Sequence, residues 1–282
     1  MSISSKVLAL SGGVGGAKLA LGLAHCLGRD DLTIVCNTGD DFVHLGLNIC
    51  PDLDTMLYTL ADWSNKEQGW GQVDETWSFL DALGRLGGET WFSLGDRDLA
   101  THMLRTGLLQ GGSTLSDVVE ELCRRMNISH RVVPMSDQTI STRVQTRSGE
   151  TLVFQHYFVR DRCEPAVAGF EFQGIGSSKP SPGFDAALNS CDVVVVCPSN
   201  PFVSVDPILA VPGVTETLEM RKVPVVVASN IVGGQALKGP AAKMMQELGM
   251  PMTALGVAQH YANKYSGLIS GFVLDHADAE LA

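Results

Sequence analysis

Clustered positive charge is missing from this 282-residue sequence: 20 Lys and Arg face 31 Asp and Glu, the net charge is −11, and no basic run stands anywhere. That leaves no electrostatic footprint for nucleic acid and no polybasic membrane anchor, so an anionic substrate has to be met by local donors or a metal. Long apolar runs are missing too. No window approaches ~18 uninterrupted apolar residues, and the opening MSISSKVLALSGG is too short in apolar residues for a signal peptide; a cytoplasmic location is expected. None of the seven cysteines pairs as C-x-x-C, and most sit inside apolar runs, the pattern of buried thiols in a reducing compartment. H-E-x-x-H and G-x-S-x-G are absent, which argues against zincin and serine hydrolase chemistry. No internal repeat or low-complexity segment occurs.

What is present reads as α/β. The 45% apolar content can fill a sizeable core. KVLAL (6–10), a glycine turn, the amphipathic GAKLALGLAHCLG (16–28) and LTIVCN (32–37) make a strand, a helix and a strand of βαβ length. From Asp54 to Met126 the spacing turns helical in DTMLYTLADW, DETWSFLDALGRLG, DLATHMLRTGLLQG and TLSDVVEELCRRM, each opening on Asp or Thr as a candidate cap. STRVQTRSGETLVFQHYFVR (141–160) predicts a hairpin around Ser148-Gly149. CDVVVVCPSNP (191–201) and VPVVVASN (223–230) are Val runs suited to central parallel strands, and GPAAKMMQELGM (239–250) predicts a helix with Pro240 near its first turn. The expected fold is a single α/β domain over 1–282: a doubly wound, Rossmann-like, mostly parallel sheet from 1–50 and 176–282, split by a helical and antiparallel β insertion at 51–175. Ligands of such sheets bind beyond the carboxyl ends of the strands.

The first strand ends in Gly12, Gly13, Val14, Gly15 and Gly16. Counted from Gly12, Ala17 and Leu19 stand where a P-loop needs Gly and a hydroxyl, and Lys18 stands where G-x-G-x-x-G needs its last glycine. Neither template fits. The shared physics remains: a helix N-terminus with bare backbone suits a phosphate, and Lys18 can add charge. A ligand-free tight turn is the plain alternative. Asn37, Asp40 and Asp41 follow the second strand, with Asp52 and Asp54 just beyond. Carboxylates beside a phosphate repel it unless a divalent cation lies between, so this segment is a candidate Mg²⁺ site; capping of the next helix is the plain role for Asp52 or Asp54. In SLGDRDLATHMLR, Arg97 or Arg105 can grip a carboxylate or phosphate, Asp96 can cap, and His102 follows Asp98 at helical spacing. His102 and His44 lack a spaced metal partner and read as structural. The turns at 198–208, with Asn200 the preferred contact, and 229–241 complete the candidate set.

Taken in order, SGGVGGAKLALGL, NTGDDFVHLGLNICPDLDTMLYTL, GWGQVDETW, LGDRDLATHMLR, PMSDQTISTRV, FQHYFVR, PSNPFVSVDPIL and SNIVGGQALKGPA resemble the 2-phospho-L-lactate transferase family of coenzyme F420 biosynthesis nearly end to end. The resemblance implies an enzyme that joins the deazaflavin Fo to the phosphate of a guanylyl-activated three-carbon acid. A phosphodiester forms and GMP leaves, with Mg²⁺ required. It implies that residues 12–16 and the turn of Ser199, Asn200 and Pro201 hold the donor diphosphate, that Asp40 and Asp54 hold the metal, and that Asp54 and Arg97 lie around Fo in a site supplied by the insertion; Lys18 and Asn37 are further candidate substrate contacts. Asp40 or Asp41 can take the hydroxyl proton, and Arg143 or Arg160 can bind the carboxylate of the acid. Phospholactate, phosphoenolpyruvate and 3-phosphoglycerate all serve within the family, and no residue here decides among them. Relatives are commonly dimeric, which makes a homodimer the expectation, and they usually continue through a further strand and helix. A non-catalytic, nucleotide-sugar-binding regulator of the gluconeogenesis-factor type shares the glycine loop and the Asp-Asp, but follows it with Gly-Ser-Ser-Gly where this chain has DDFVHLGLNICPDLDT and, later, GDRD. That difference favours the enzyme.

Overall fold

A computed structural model of the chain describes residues 5–236 and 239–282; Leu237 and Lys238, part of the 229–241 stretch, lie outside the described residues. The fold opens with β1 (Val7–Ser11), α1 (Gly13–Cys26) and β2 (Leu32–Cys36), then a small hairpin of β3 (Phe42–His44) and β4 (Leu47–Ile49). Helices α2 (Pro51–Leu60), α3 (Ser78–Arg85), α4 (Asp96–Gln110) and α5 (Leu115–Arg125) lead to β5 (Arg131–Pro134). Strands β6 (Ser141–Thr146), β7 (Thr151–Val153) and β8 (Val167–Gln173) form an antiparallel sheet ordered β7-β6-β8. After α6 (Pro182–Leu188) come β9 (Val193–Val196), a π-helical turn at Pro201–Val205, α7 (Asp206–Leu209), α8 (Val214–Arg221) and β10 (Val225–Ala228). The short pair β11 (Ile231–Val232) and β12 (Gln235–Ala236), α9 (Ala241–Glu247), α10 (Ala254–Lys264) and β13 (Gly271–Val273) follow, and then a 3-10 turn at His276–Leu281.

The central sheet runs β5-β2-β1-β9-β10-β13 with every pairing parallel. Renumbered by appearance, its strands lie 3-2-1-4-5-6, the doubly wound order whose direction reverses between β1 and β9. Successive side chains of a strand point to opposite faces. Leu8, Leu10, Val194 and Val196 accordingly enter one buried core, while Val7, Ala9, Ile34 and Cys36 enter the other. Both faces are covered, which is why these strands read as unbroken apolar runs. Among the described residues no helix is long and apolar enough to cross a membrane.

Several expectations need correction. Arg131–Pro134 lies inside the expected 51–175 insertion, yet it pairs with β2 as an edge strand of the central sheet. The insertion is therefore two separate connections, one helical before β5 and one antiparallel after it. Helix α2 begins at Pro51, so Asp52 and Asp54 sit inside its first turn and neither is its N-cap. Asp96 caps a neighbour instead of its own helix: its carboxylate accepts from the Ser78 and Phe79 amides at the start of α3, while Glu75 accepts from the Arg97 and Asp98 amides at the start of α4. Thr114 does cap α5, in a reciprocal box with Asp117. The Ser148-Gly149 hairpin forms, with Gly149 at φ +87°, but its second strand stops at Val153, and His156–Arg160 winds into a π-helical turn. Of the cysteines, Cys36, Cys50, Cys123, Cys191 and Cys197 are buried and Cys163 is partly so, whereas Cys26 is exposed.

Candidate active site

A cavity of about 950 Å³ opens where the strand order reverses, walled by the residues that follow β1 and β9 and by the two connections around β5. Its floor is the glycine loop. Gly13 begins α1 at φ +64°, a conformation that costs a side chain dearly, and a Cβ on Gly15 would fall onto the Pro198 carbonyl oxygen. The glycines thus bring α1 against the 198–204 turn. Two loop amides are already committed: Gly12 donates to Ser199 Oγ at 3.0 Å and Gly13 to Asp52 Oδ1 at 2.6 Å. Those of Val14 and Gly15 meet no side-chain acceptor among the described residues and border the cavity, as the first turn of a helix must if it is to receive an anion. Lys18 lines the same space from an exposed position.

Acidic groups crowd the next wall. Asp40, Asp52 and Asp54 are each about one-twentieth exposed and line the cavity. Burial raises the Asp40 carboxyl well above its usual range, and the Asp52 charge pushes it further against an Asn37 hydrogen bond. Burial likewise raises Asp41, although the Cys50 thiol and Arg105 oppose it. Burial lifts Asp52 to about 6 while bonds from Asn37 and Gly13 oppose the rise. Asp52 is structural in action: it ties the loop amide of Gly13 to Asn37 Nδ2, which also donates to the Val203 carbonyl. Asp40 Oδ1 is buried without a partner, as is Asp41 Oδ1. An uncompensated carboxylate in the wall of a cavity is the donor a hard divalent cation takes, and Mg²⁺ needs only one or two such groups plus substrate oxygens. Asp40 fits that role.

Asp54 is occupied differently. Arg105, fully buried on α4, closes both guanidinium nitrogens onto it, one at 3.1 Å from Oδ2. Only the outer lone pairs of Asp54 remain for a metal. His102 lies with Nδ1 3.6 Å from Asp54 Oδ2 and Nε2 3.2 Å from Asp98 Oδ2, and Asp98 Oδ1 accepts from the Tyr58 hydroxyl at 2.6 Å. Burial works against ionisation of Asp98, but the His102 ring and the Tyr58 hydroxyl hold it below the usual carboxylate range. Asp54, Asp98 and His102 bring ligand atoms within 4.8 Å of one another. With a guanidinium on Asp54 and an imidazole in the set, this is a charge-balanced network that braces the wall, and Asp54 offers a cation only its outer lone pairs. Sequence reading set His102 aside as structural. The Asp98–His102 spacing of one helical turn was the available signal, but it does not say that α2 delivers Tyr58 and Asp54 to the same place.

The far half of the cavity is aromatic, with Tyr58, Trp70, Phe92, Phe154 and Phe158 in its lining. Asn200 faces the cavity, its Oδ1 capping the π-helical turn by accepting from the Phe202 amide. Gly16, Asn37, Asp41 and Pro201 are not among the lining residues; Gly16, Asn37 and Pro201 are buried and Asp41 is partly exposed. The three arginines are elsewhere. Arg97 is exposed and donates to the Val73 carbonyl beside a separate 210 Å³ hollow, Arg143 donates to Gln173, and Arg160 pairs with Asp161. None of them borders the cavity, so the structure does not place a carboxylate-binding arginine there.

A family model described as 2-phospho-L-lactate transferase CofD matches residues 7–281. The chain belongs to that family. Within it, the phosphoenolpyruvate transferase of Streptomyces griseus is 44% identical over 278 residues, covering 97% of this chain and 86% of the relative. The phosphoenolpyruvate transferase of Mycobacterium sp. strain KMS is 39% identical over 294 residues, covering 97% and 89%. In fold, the crystal structure of protein BH3568 from Bacillus halodurans superposes with a TM-score of 0.65 at 18% identity, over 96% of this chain and 80% of that one. The family match spans every cavity residue named above.

Proposed function

We propose that this protein joins a guanylyl-activated three-carbon phospho-acid to the deazaflavin Fo in coenzyme F420 biosynthesis, releasing GMP, and that the acid is phosphoenolpyruvate. Family membership and the relatives' names support the chemistry and the choice of acid. The observation that carries the reading is the juxtaposition, in one cavity, of free α1 amides, an unpartnered Asp40 carboxylate and an aromatic half large enough for a fused ring.

The amides of Val14 and Gly15, with Lys18 and Asn200, would bind the diphosphate. Tyr58, Trp70, Phe92, Phe154 and Phe158 would orient the deazaflavin so that its terminal ribityl hydroxyl faces the phosphorus. As the new P–O bond forms, the bond to GMP breaks, and Asp41, the chain neighbour of the metal-holding Asp40, would take the hydroxyl proton. Mg²⁺, held by Asp40 and the outer lone pairs of Asp54, would supply charge neutralisation at the diphosphate oxygens. Positioning does most of the work in such transfers. A homodimer belongs to the same proposal, and one size measurement in solution tests it.

Mixing the protein with Fo, Mg²⁺ and each of the three guanylylated acids, and following GMP release, tests the reaction. Fastest turnover is expected with phosphoenolpyruvate. Nucleotide binding without turnover of any donor would overturn the enzyme reading in favour of a binding protein.

A further inference from the structure

Ser229 and Asn230 follow β10, one strand beyond β9 and two beyond β1. Ser229 is spent on the chain: its hydroxyl donates to the Ile231 carbonyl and accepts from the Ile231 amide. Asn230 is not. It is 8% exposed, it lines the cavity, and its Oδ1 is buried without a hydrogen-bond partner. Nor does its Nδ2 meet a protein acceptor among the described residues. A buried amide oxygen left without a partner is a costly arrangement, and the residue that carries it lines the space a ligand would fill.

The chemistry of the missing partner follows from the atom. An amide oxygen accepts, so whatever satisfies it must donate. Ionised phosphate and carboxylate oxygens donate nothing, whereas a nucleoside carries base N–H groups and ribose hydroxyls. Position agrees. Neighbouring strands lie ~4.8 Å apart, which sets Asn230 roughly 10 Å along the sheet from the α1 amides, the reach from a diphosphate to its base. The aromatic half comes from the connections that follow β2 and β5, on the other side of β1.

We propose that Asn230 reads the base of the donor nucleotide, its Oδ1 accepting from the ring N–H and exocyclic amine of guanine. This rests on the transferase reading. Calorimetric titration of the wild type and Asn230→Ala with GDP, IDP, inorganic pyrophosphate and Fo tests it, alongside the thermal midpoint of the ligand-free proteins. The variant should bind GDP about tenfold more weakly, lose much of its preference for GDP over IDP, and bind pyrophosphate and Fo as before. Its ligand-free midpoint should stay or rise, because an unsatisfied group has gone. An unchanged GDP-to-IDP preference, an equal loss for pyrophosphate, weakened Fo binding, or a fall in midpoint with GDP affinity retained would each overturn the proposal. If the wild type itself binds no guanine nucleotide, it is the transferase reading that fails.

Discussion

Arg105 grips Asp54 with both guanidinium nitrogens in a wall where their side chains are 1% and 7% exposed. The pair joins α4 to α2 across 51 residues of sequence and holds His102 between Asp54 and Asp98. Breaking one side of a buried ion pair leaves the other charge stranded, at a cost of about 3–5 kcal/mol. Arg105→Met should lower unfolding stability in urea by that order, and Asp54→Asn by a similar amount. A loss under ~1 kcal/mol, the range of surface pairs, would show that the pair carries no weight.

Asp40 offers a cleaner probe of the metal, since nothing pairs with its Oδ1. Asp40→Asn replaces a buried carboxyl with an unpartnered oxygen by a neutral isostere, so the ligand-free protein should melt at the same temperature or higher. The stabilisation that Mg²⁺ confers on the wild type should vanish in the variant. Thermal melts with and without Mg²⁺ check both, and an unchanged Mg²⁺ shift would take Asp40 out of the site.

Asp52 gives a pH dependence with a definite sign. Its carboxyl is lifted from 3.8 to about 6, so the folded chain holds that proton more tightly than the unfolded chain does. The corresponding stability is full below about pH 4 and is lost as the pH rises through about 6, amounting to ~3 kcal/mol at most. Asp52→Asn should flatten the stability profile of the metal-free protein between those values. A wild-type profile that rises over the same window would contradict the assignment.

The glycine loop makes a paired test. Gly15→Ala drives a methyl into the Pro198 carbonyl, a backbone atom that cannot yield, whereas Gly22→Ala on the same helix meets nothing within 4 Å. The first should lose ~2 kcal/mol or more and with it GDP binding. The second should gain ~0.5–1 kcal/mol from helix propensity and keep binding.

Asp206, only 2% exposed, accepts from Lys264 Nζ at 2.7 Å, the Tyr265 hydroxyl at 2.9 Å and His260 Nε2 at 3.1 Å, tying α10 to the end of the π-helical turn. Asp206→Ala strands all three partners and should cost about 3 kcal/mol. Donor affinity should fall with it, because Val203 and Ser204 in that turn border the cavity. Equal GDP affinity in the variant would confine Asp206 to stability.

The doubly wound class, the glycine turn into α1, the acidic strand end and the family were all legible in the residues, because each depends on local order: apolar runs of strand length, glycines directly after one of them, and motifs in sequence. Membership of β5 in the central sheet was not. RVVP is four residues long, and nothing in so short a run says which sheet it will join. Long-range pairing also decided the fate of single side chains. Asp54 reads as a candidate metal ligand, but only the fold brings Arg105 from α4 onto it, and Arg97, one residue from Asp98, turns to Val73 because adjacent helical positions face apart. Asn230 lay within a candidate turn but was not singled out from it, for the same reason. Its amide is ordinary in sequence; burial beside the cavity without a partner is a property of the folded surroundings alone. Period and order are written along the chain, but which faces meet depends on packing between elements far apart in it.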